Sequence, residues 1–406
     1  MYSLVVGKEE GGFVAKLLLI VIYLGFIGLG LPDSVLGAAW PVMHSDLGVN
    51  VDVLGIITAV SCVCGIISSL MSARLISRFG VGKVTFVSTL LTALGLLLYS
   101  ISGSFFFLCL VTVPSGIGAG AIDAGLNNYV ALHYSASHMS FLHCFYGVGV
   151  MVSPVFMAIA LKGDGSWRNG YRYVFIIQLF IALVMLIAIP MWNKAHGETT
   201  PEPAEKKTKI LTGKELVKLK NFKAVLFIFF AACSVECTLG AWGGTFLNSA
   251  KGFSPSAAAG GVTLFFAGLA LGRFLSGVLS SKLSSMKIIF TGLSFVAAGL
   301  ALMLLPFSVT ALGGLFLGGF GIGPVYPNIM HLTPKIFGEE NSQSVMGTQQ
   351  AAAYCGVLFM PALFGAVAGN IGAYLLPVYT FLLLFITAIS AFAIRKGIKH
   401  RQDGFK

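Results

Sequence analysis

Gly116-Ile-Gly-Ala-Gly-Ala-Ile-Asp123-Ala-Gly-Leu-Asn127-Asn128-Tyr-Val130 sets one carboxylate and two amides inside a run that is otherwise apolar and glycine-rich. Followed outward to residues 105 and 132, the run contains no second charge. At about 1.5 Å per helical residue it is long enough to cross roughly 30 Å of hydrocarbon. It therefore predicts a membrane-spanning helix with an acid at bilayer depth. Such an acid is costly unless it is paired, protonated or facing water, and it is usually there for transport.

The rest of the chain repeats this pattern. Its 406 residues are 56% hydrophobic and only 10% charged, and mean hydropathy is +0.89, well beyond what a soluble core requires. Apolar runs of spanning length fall at 13–43, 53–73, 84–101, 105–132, 139–161 and 171–192. A second set follows at 221–247, 256–280, 287–306, 310–332, 342–368 and 373–394. The expected fold is an all-α polytopic membrane protein of twelve transmembrane helices in two pseudo-symmetric six-helix bundles. Its domains are a first bundle over 1–193, a linker over 194–220 and a second bundle over 221–406. The linker carries Glu-Thr-Thr-Pro-Glu-Pro-Ala-Glu-Lys-Lys and reads as flexible and charged, with a short surface helix near 212–220.

Basic residues set the expected orientation. One side of the predicted topology holds Arg74, Arg78, Lys83, the lysines between 206 and 223, Lys282, Lys287, Arg395 and Lys396; the other offers Lys162, Arg168, Arg172 and Lys251. The positive-inside rule places both termini in the cytoplasm. The net charge of +11 follows from this bias and from attraction to anionic lipid, so no nucleic-acid partner is required. Lys8-Glu9-Glu10 precedes an apolar run too long for a signal core, and the first span is expected to be retained. The seven cysteines fall in spans and read as small apolar fillers; Cys233 and Cys237 flank Glu236 but lack the further ligands a metal needs.

Polar groups inside the spans are the candidate site. Asp123 and Asn127 stand four positions apart, hence on one helical face, and Asn128 adjoins them. A neutral acid is tolerated in a low-dielectric site and an ionised one is costly, which suits Asp123 to carry a proton reversibly. Asp33 follows Pro32 and either shares that work or caps the turn that the proline leaves short of a hydrogen bond. Glu236 is the deep acid of the second half, with no cation expected at comparable depth, and is a third candidate for proton or Na+ coupling.

His143, Tyr146, Tyr326, Asn328, Gln349 and Gln350 are expected to face a cavity rather than lipid. Amides donate and accept, and so suit vicinal hydroxyls. Trp40 and Trp242 offer flat faces to a pyranose ring or act as interfacial anchors. Arg78 is expected to anchor at the inner leaflet. Arg273 either snorkels to the surface or pairs with a carboxylate or helix end in one conformation, as a gating residue would.

The halves also echo one another. Ala73-Arg-Leu75-Ile-Ser77-Arg78 closes the second span and Gly277-Val-Leu279-Ser-Ser281-Lys282 the eighth. His143 precedes Pro154 by the same interval as Gln350 precedes Pro361. Such repetition marks a transporter built from parallel halves. The loop Leu75-Ile-Ser-Arg78-Phe-Gly80-Val-Gly-Lys83 resembles the one between spans two and three of the major facilitator superfamily, with Ala73 and Ser77 where that family has glycine and aspartate, and the resemblance implies a gating role for Arg78 as the alternative to a plain anchor.

A closer resemblance is to the fucose permease branch, the fucose–galactose–glucose:proton symporters. It rests on Gly118-Ala-Gly120-Ala-Ile-Asp123-Ala-Gly-Leu-Asn127-Asn-Tyr129 and on Leu31-Pro-Asp33 with Pro41. The resemblance implies that one of Asp123 and Asp33 takes the proton while the other helps hold sugar. Aspartate stands at 123 where those permeases have glutamate, and asparagine at 128 where they have proline.

The function expected is secondary active transport of a small hydrophilic solute, a sugar above all, by alternating access coupled to protons in the plasma membrane. No cofactor is expected beyond the coupling ion, H+ or Na+, and the partners are the solute and the bilayer, with the protein a monomer. Two alternatives stay open, a proton-antiport exporter of drugs or amphipathic metabolites and a Na+-coupled sugar symporter. No nucleophile with a base, no His-rich metal spacing and no nucleotide loop points to an enzyme.

Overall fold

In the computed structural model residues 2–50, 53–162, 165–195 and 209–403 are described, and among them every regular element is a helix. The first six are α1 (Tyr2–Asp46), α2 (Leu54–Phe79), α3 (Val81–Ser100), α4 (Phe105–His133), α5 (Ala136–Ala160) and α6 (Trp167–Lys194). After a short α7 (Gly213–Lys218) come α8 (Phe222–Thr245), α9 (Pro255–Leu279), α10 (Ser285–Leu304), α11 (Ser308–Ile322), α12 (Val325–Phe337), α13 (Glu339–Asn370) and α14 (Leu376–Asp403). Among the described residues twelve helical stretches are long and apolar enough to cross a membrane, and they correspond in order to the twelve runs read from the sequence.

Local chemistry explains the boundaries. α7 lies inside the helix expected over 212–220 and starts with a capping box, in which Thr212 accepts from the Glu215 amide while the Glu215 carboxylate accepts from Thr212 N at 2.8 Å. The linker residues 196–208 lie outside the described residues. The tenth span, Ser308–Phe337, is one run in sequence but two helices in space. Pro324 has no N–H to continue the ladder, and α12 restarts with the Asn328 amide and side chain both donating to the Pro324 carbonyl. α8 ends in a π-helical turn, Phe246–Ala250.

By internal contacts the chain divides into two units: Met1–Tyr129 with Phe145–Ile210, and Val130–Cys144 with Leu211–Lys406. Each packs through glycines that let backbones touch. In the first unit Gly116, Gly118 and Gly120 of α4 lie against the carbonyls of Ser61, Ser88 and Gly65, and Gly149 of α5 against that of Ile27. In the second unit Gly319, Gly321 and Gly323 lie against the carbonyls of Phe265, Gly292 and Leu269, and Gly356 of α13 against that of Phe230.

The same contacts thus recur one half-chain later, and they fix the register of the repeat. Asp33 lies as far beyond Ile27 as Glu236 lies beyond Phe230, and Asp123 as far beyond Gly120 as Tyr326 beyond Gly323. Any side chain at these glycines must push a main chain aside. Gly120→Val should therefore lower stability by about 1–3 kcal/mol, as overpacking does; thermal unfolding of the purified variant in detergent checks it.

The cores differ in one respect. α3 buries Thr85, Ser88, Thr89 and Thr92, and Gln178 of α6 donates to Thr92 Oγ1 at 2.6 Å. Around the matching Gly292, α10 buries Ile289, Leu293 and Val296. Gln178 escaped the sequence reading because a single amide in an apolar run gives no sign of its partner.

Candidate functional site

In the first unit, Asp33 is exposed in the last third of α1, and its Oδ2 accepts from the Tyr146 hydroxyl of α5 at 2.6 Å. Two residues predicted separately are thereby joined. Next to it, Ser34 Oγ donates to the Val150 carbonyl at 2.6 Å and lies 2.8 Å from Ser153 Oγ. Asp123 is buried, and the Asn127 amide donates to its Oδ1 at 2.6 Å and to its backbone carbonyl at 2.9 Å. The one-face arrangement expected from their spacing is present as a direct bond. Asn127 and Asn128 are buried as well.

In the second unit, one nitrogen of Arg273 on α9 reaches both carboxylate oxygens of Glu236 on α8, at 3.0 and 3.1 Å. The expectation that Glu236 has no cation at its depth is corrected by this contact. The sequence hid it because the partners lie on different helices and meet only once α8 packs against α9. Arg273 is 7% exposed and Glu236 22%, so the pair is largely withdrawn from solvent.

Nearby, the Tyr326 hydroxyl donates to Gln350 Oε1 across α12 and α13. The rings of His143 and Phe229 each meet Tyr326 edge-on at 4.9 Å. His143 belongs to the second unit together with Ser140, which lies 3.0 Å from Ser276 Oγ.

Other predicted residues are held by structural bonds. Asn328 uses its amide hydrogens on Pro324 O and Ser276 Oγ, both at 2.8 Å. Gln349 is buried and donates to Thr333 Oγ1 at 2.8 Å. Trp40 is 3% exposed, inside the apolar core of the first unit with Met43, Ile57 and Leu96. Trp242 donates to the Pro361 carbonyl at 2.9 Å and meets Phe364 edge-on. Arg78 sits over Phe79, 5.3 Å from its ring centre. Sequence reading missed Ser34, Ser153, Ser276 and Thr333, since hydroxyls in spans ordinarily bond to their own helix. The proline at 154 was the available signal for Ser34.

Among the described residues, twelve apolar helices of spanning length in two mutually repeated halves, with acids and amides bonded inside them, define a multi-pass membrane protein. The chain belongs to the Major Facilitator Superfamily, whose model matches residues 22–312 and, overlapping, 225–405. Among curated relatives, Bypass of stop codon protein 6 of Saccharomyces cerevisiae is 24% identical over 97% of this chain and 85% of its own length. The glucose/mannose transporter GlcP of Bacillus subtilis is 22% identical over 66% of this chain and 68% of that protein. The quinolone resistance protein NorA of Staphylococcus aureus is 24% identical over 45% of this chain and 47% of its own.

Of solved structures, the proton:xylose symporter XylE superposes with a TM-score of 0.77 at 15% identity, covering 96% of each chain. The E. coli fucose:proton symporter FucP superposes at 0.74 and 14% identity, over 93% of this chain and 98% of that one. These likenesses show the fold.

Proposed function

We propose that this transporter moves a small hydrophilic solute, a sugar, by alternating access coupled to protons. The observation that carries the proposal is the contrast between two acids at matching positions of the repeat. Glu236 is paired with Arg273, whereas the partner of Asp33 among the described residues is a neutral phenol, Tyr146. A carboxylate with a guanidinium at 3.0 Å already has its counter-charge. An exposed acid bonded to a hydroxyl can gain and lose a proton. Asp33 is thus the proton-carrying acid, Asp123 with Asn127 a hydroxyl-binding pair, and Tyr326 with Gln350 its counterpart in the second unit.

The structural neighbours named as xylose and fucose symporters, and the relative named as a glucose/mannose transporter, support a sugar. Placement in the plasma membrane with both termini cytoplasmic, a monomeric state and bundles over 1–193 and 221–406 complete the reading. A proton-antiport drug exporter is the second reading, favoured by the similarity to NorA.

The test is transport in proteoliposomes with hexoses, deoxyhexoses and lipophilic cations, each under an imposed pH or Na+ gradient. Accumulation of a hexose with an inward proton gradient is the expected result. Extrusion of lipophilic cations would support the exporter, and accumulation under Na+ alone would replace the coupling ion. Gln350→Ala should weaken hexose affinity about tenfold, the worth of a hydrogen bond or two, without altering the dependence on the gradient. Saturation curves at two pH values measure both.

A further inference from the structure

α5 runs unbroken from Ala136 to Ala160 although Pro154 lies within it. A proline at 154 has no N–H to give the carbonyl one turn earlier, that of Val150, which is left without its helical donor. Ser34 of α1 supplies the missing hydrogen at 2.6 Å. Since that hydroxyl proton is committed to Val150, the Ser153 hydroxyl, fully buried and 2.8 Å away, is the donor to Ser34. The residue before Ser34 is Asp33, which accepts from Tyr146, one turn before Val150 on the same face of α5. Adjacent residues of α1 therefore grip both sides of one turn of α5, where Gly30 lies against the Tyr146 carbonyl and Gly149 against that of Ile27.

The second unit shows what is particular about this grip. The register that matches Asp33 to Glu236 matches Ser34 to Cys237, and Pro154 corresponds to Pro361. A thiol, a weak donor, stands in place of the hydroxyl. Around the proline of α13, Trp242 donates to the Pro361 carbonyl and Tyr379 to the Met360 carbonyl. The serine hydroxyl thus stands beside the acid that, among the described residues, is paired with a phenol and not with an arginine.

We propose that Ser34 is a positioning residue that ties the protonation of Asp33 to the proline turn of α5. It holds α1 and α5 in the register that keeps the Tyr146 hydroxyl on the carboxylate. A change of charge at Asp33 is then felt where α5 has lost its own hydrogen bond. The group that meets Asp33 from α5 is the Tyr146 hydroxyl, and among the described residues no charged side chain acts on Asp33. This inference rests on Asp33 being the proton-carrying acid.

The test needs no solute. Infrared spectra of the purified full-length protein in lipid, recorded against pH, follow the stretching band of protonated carboxyls. Loss of one titrating component in Asp33→Asn assigns that component to Asp33. Ser34→Ala should move its midpoint by about half a pH unit, the size expected when one hydrogen bond at an ionisable group is weakened, and Ser34→Thr should restore it. Ser34→Cys, which installs the weak donor of the second unit, should move it likewise and serves if the alanine variant does not fold. A midpoint unchanged in the alanine or cysteine variant overturns the role of Ser34 alone. Spectra unchanged in Asp33→Asn would overturn the assignment of the acid beneath it.

Discussion

Asp33→Asn is expected to abolish accumulation of solute against its gradient while leaving exchange across the membrane intact. Asparagine keeps an acceptor for the Tyr146 hydroxyl, so the bond between α1 and α5 survives in neutral form. What disappears is the capacity to take up and release a proton, and with it the energy source for uphill movement. The loss is therefore complete for accumulation and slight for exchange. The contrast is Asp123→Asn, which keeps a partner for Asn127 and should reduce affinity while accumulation persists at saturating solute. If Asp123→Asn uncouples and Asp33→Asn does not, the two acids exchange roles.

The second large effect concerns the ion pair. Arg273→Leu leaves Glu236 withdrawn from solvent and without its cation, a change that typically costs about 3–5 kcal/mol. Because Glu236 keeps 22% of its side chain accessible, the lower end of that range is expected. Removing both charges together, as Glu236→Gln with Arg273→Leu, should recover most of the loss, since a buried pair contributes little net stability over a neutral replacement. Thermal and denaturant unfolding in detergent measure all three forms. A single variant as stable as the parent would show that Glu236 is rescued by solvent. It would then return to the list of acids able to carry a proton.

The spans were legible because length and hydropathy alone decide what crosses a bilayer, and all twelve appear in the expected order. The glycine runs were legible too, as places where helices touch. The break at Gly323-Pro324 was visible as a proline, yet the tenth span read as continuous because hydropathy does not change across it. The pairing of Asp123 with Asn127 could be read from spacing on one helix. Glu236 with Arg273, Asp33 with Tyr146 and Tyr326 with Gln350 each join two helices, and no periodicity reports which faces meet. The same limit left Trp40 and Trp242 open, for a tryptophan's surroundings are set by neighbours distant in sequence.

Proton movement itself is the most direct check on the central claim. In proteoliposomes carrying a pH-sensitive dye inside, with no gradient imposed, addition of a transported hexose should acidify the lumen in the parent protein and leave it unchanged in Asp33→Asn. Hexose entry into the parent vesicles with no change in luminal pH, at any external Na+ concentration, would contradict the account.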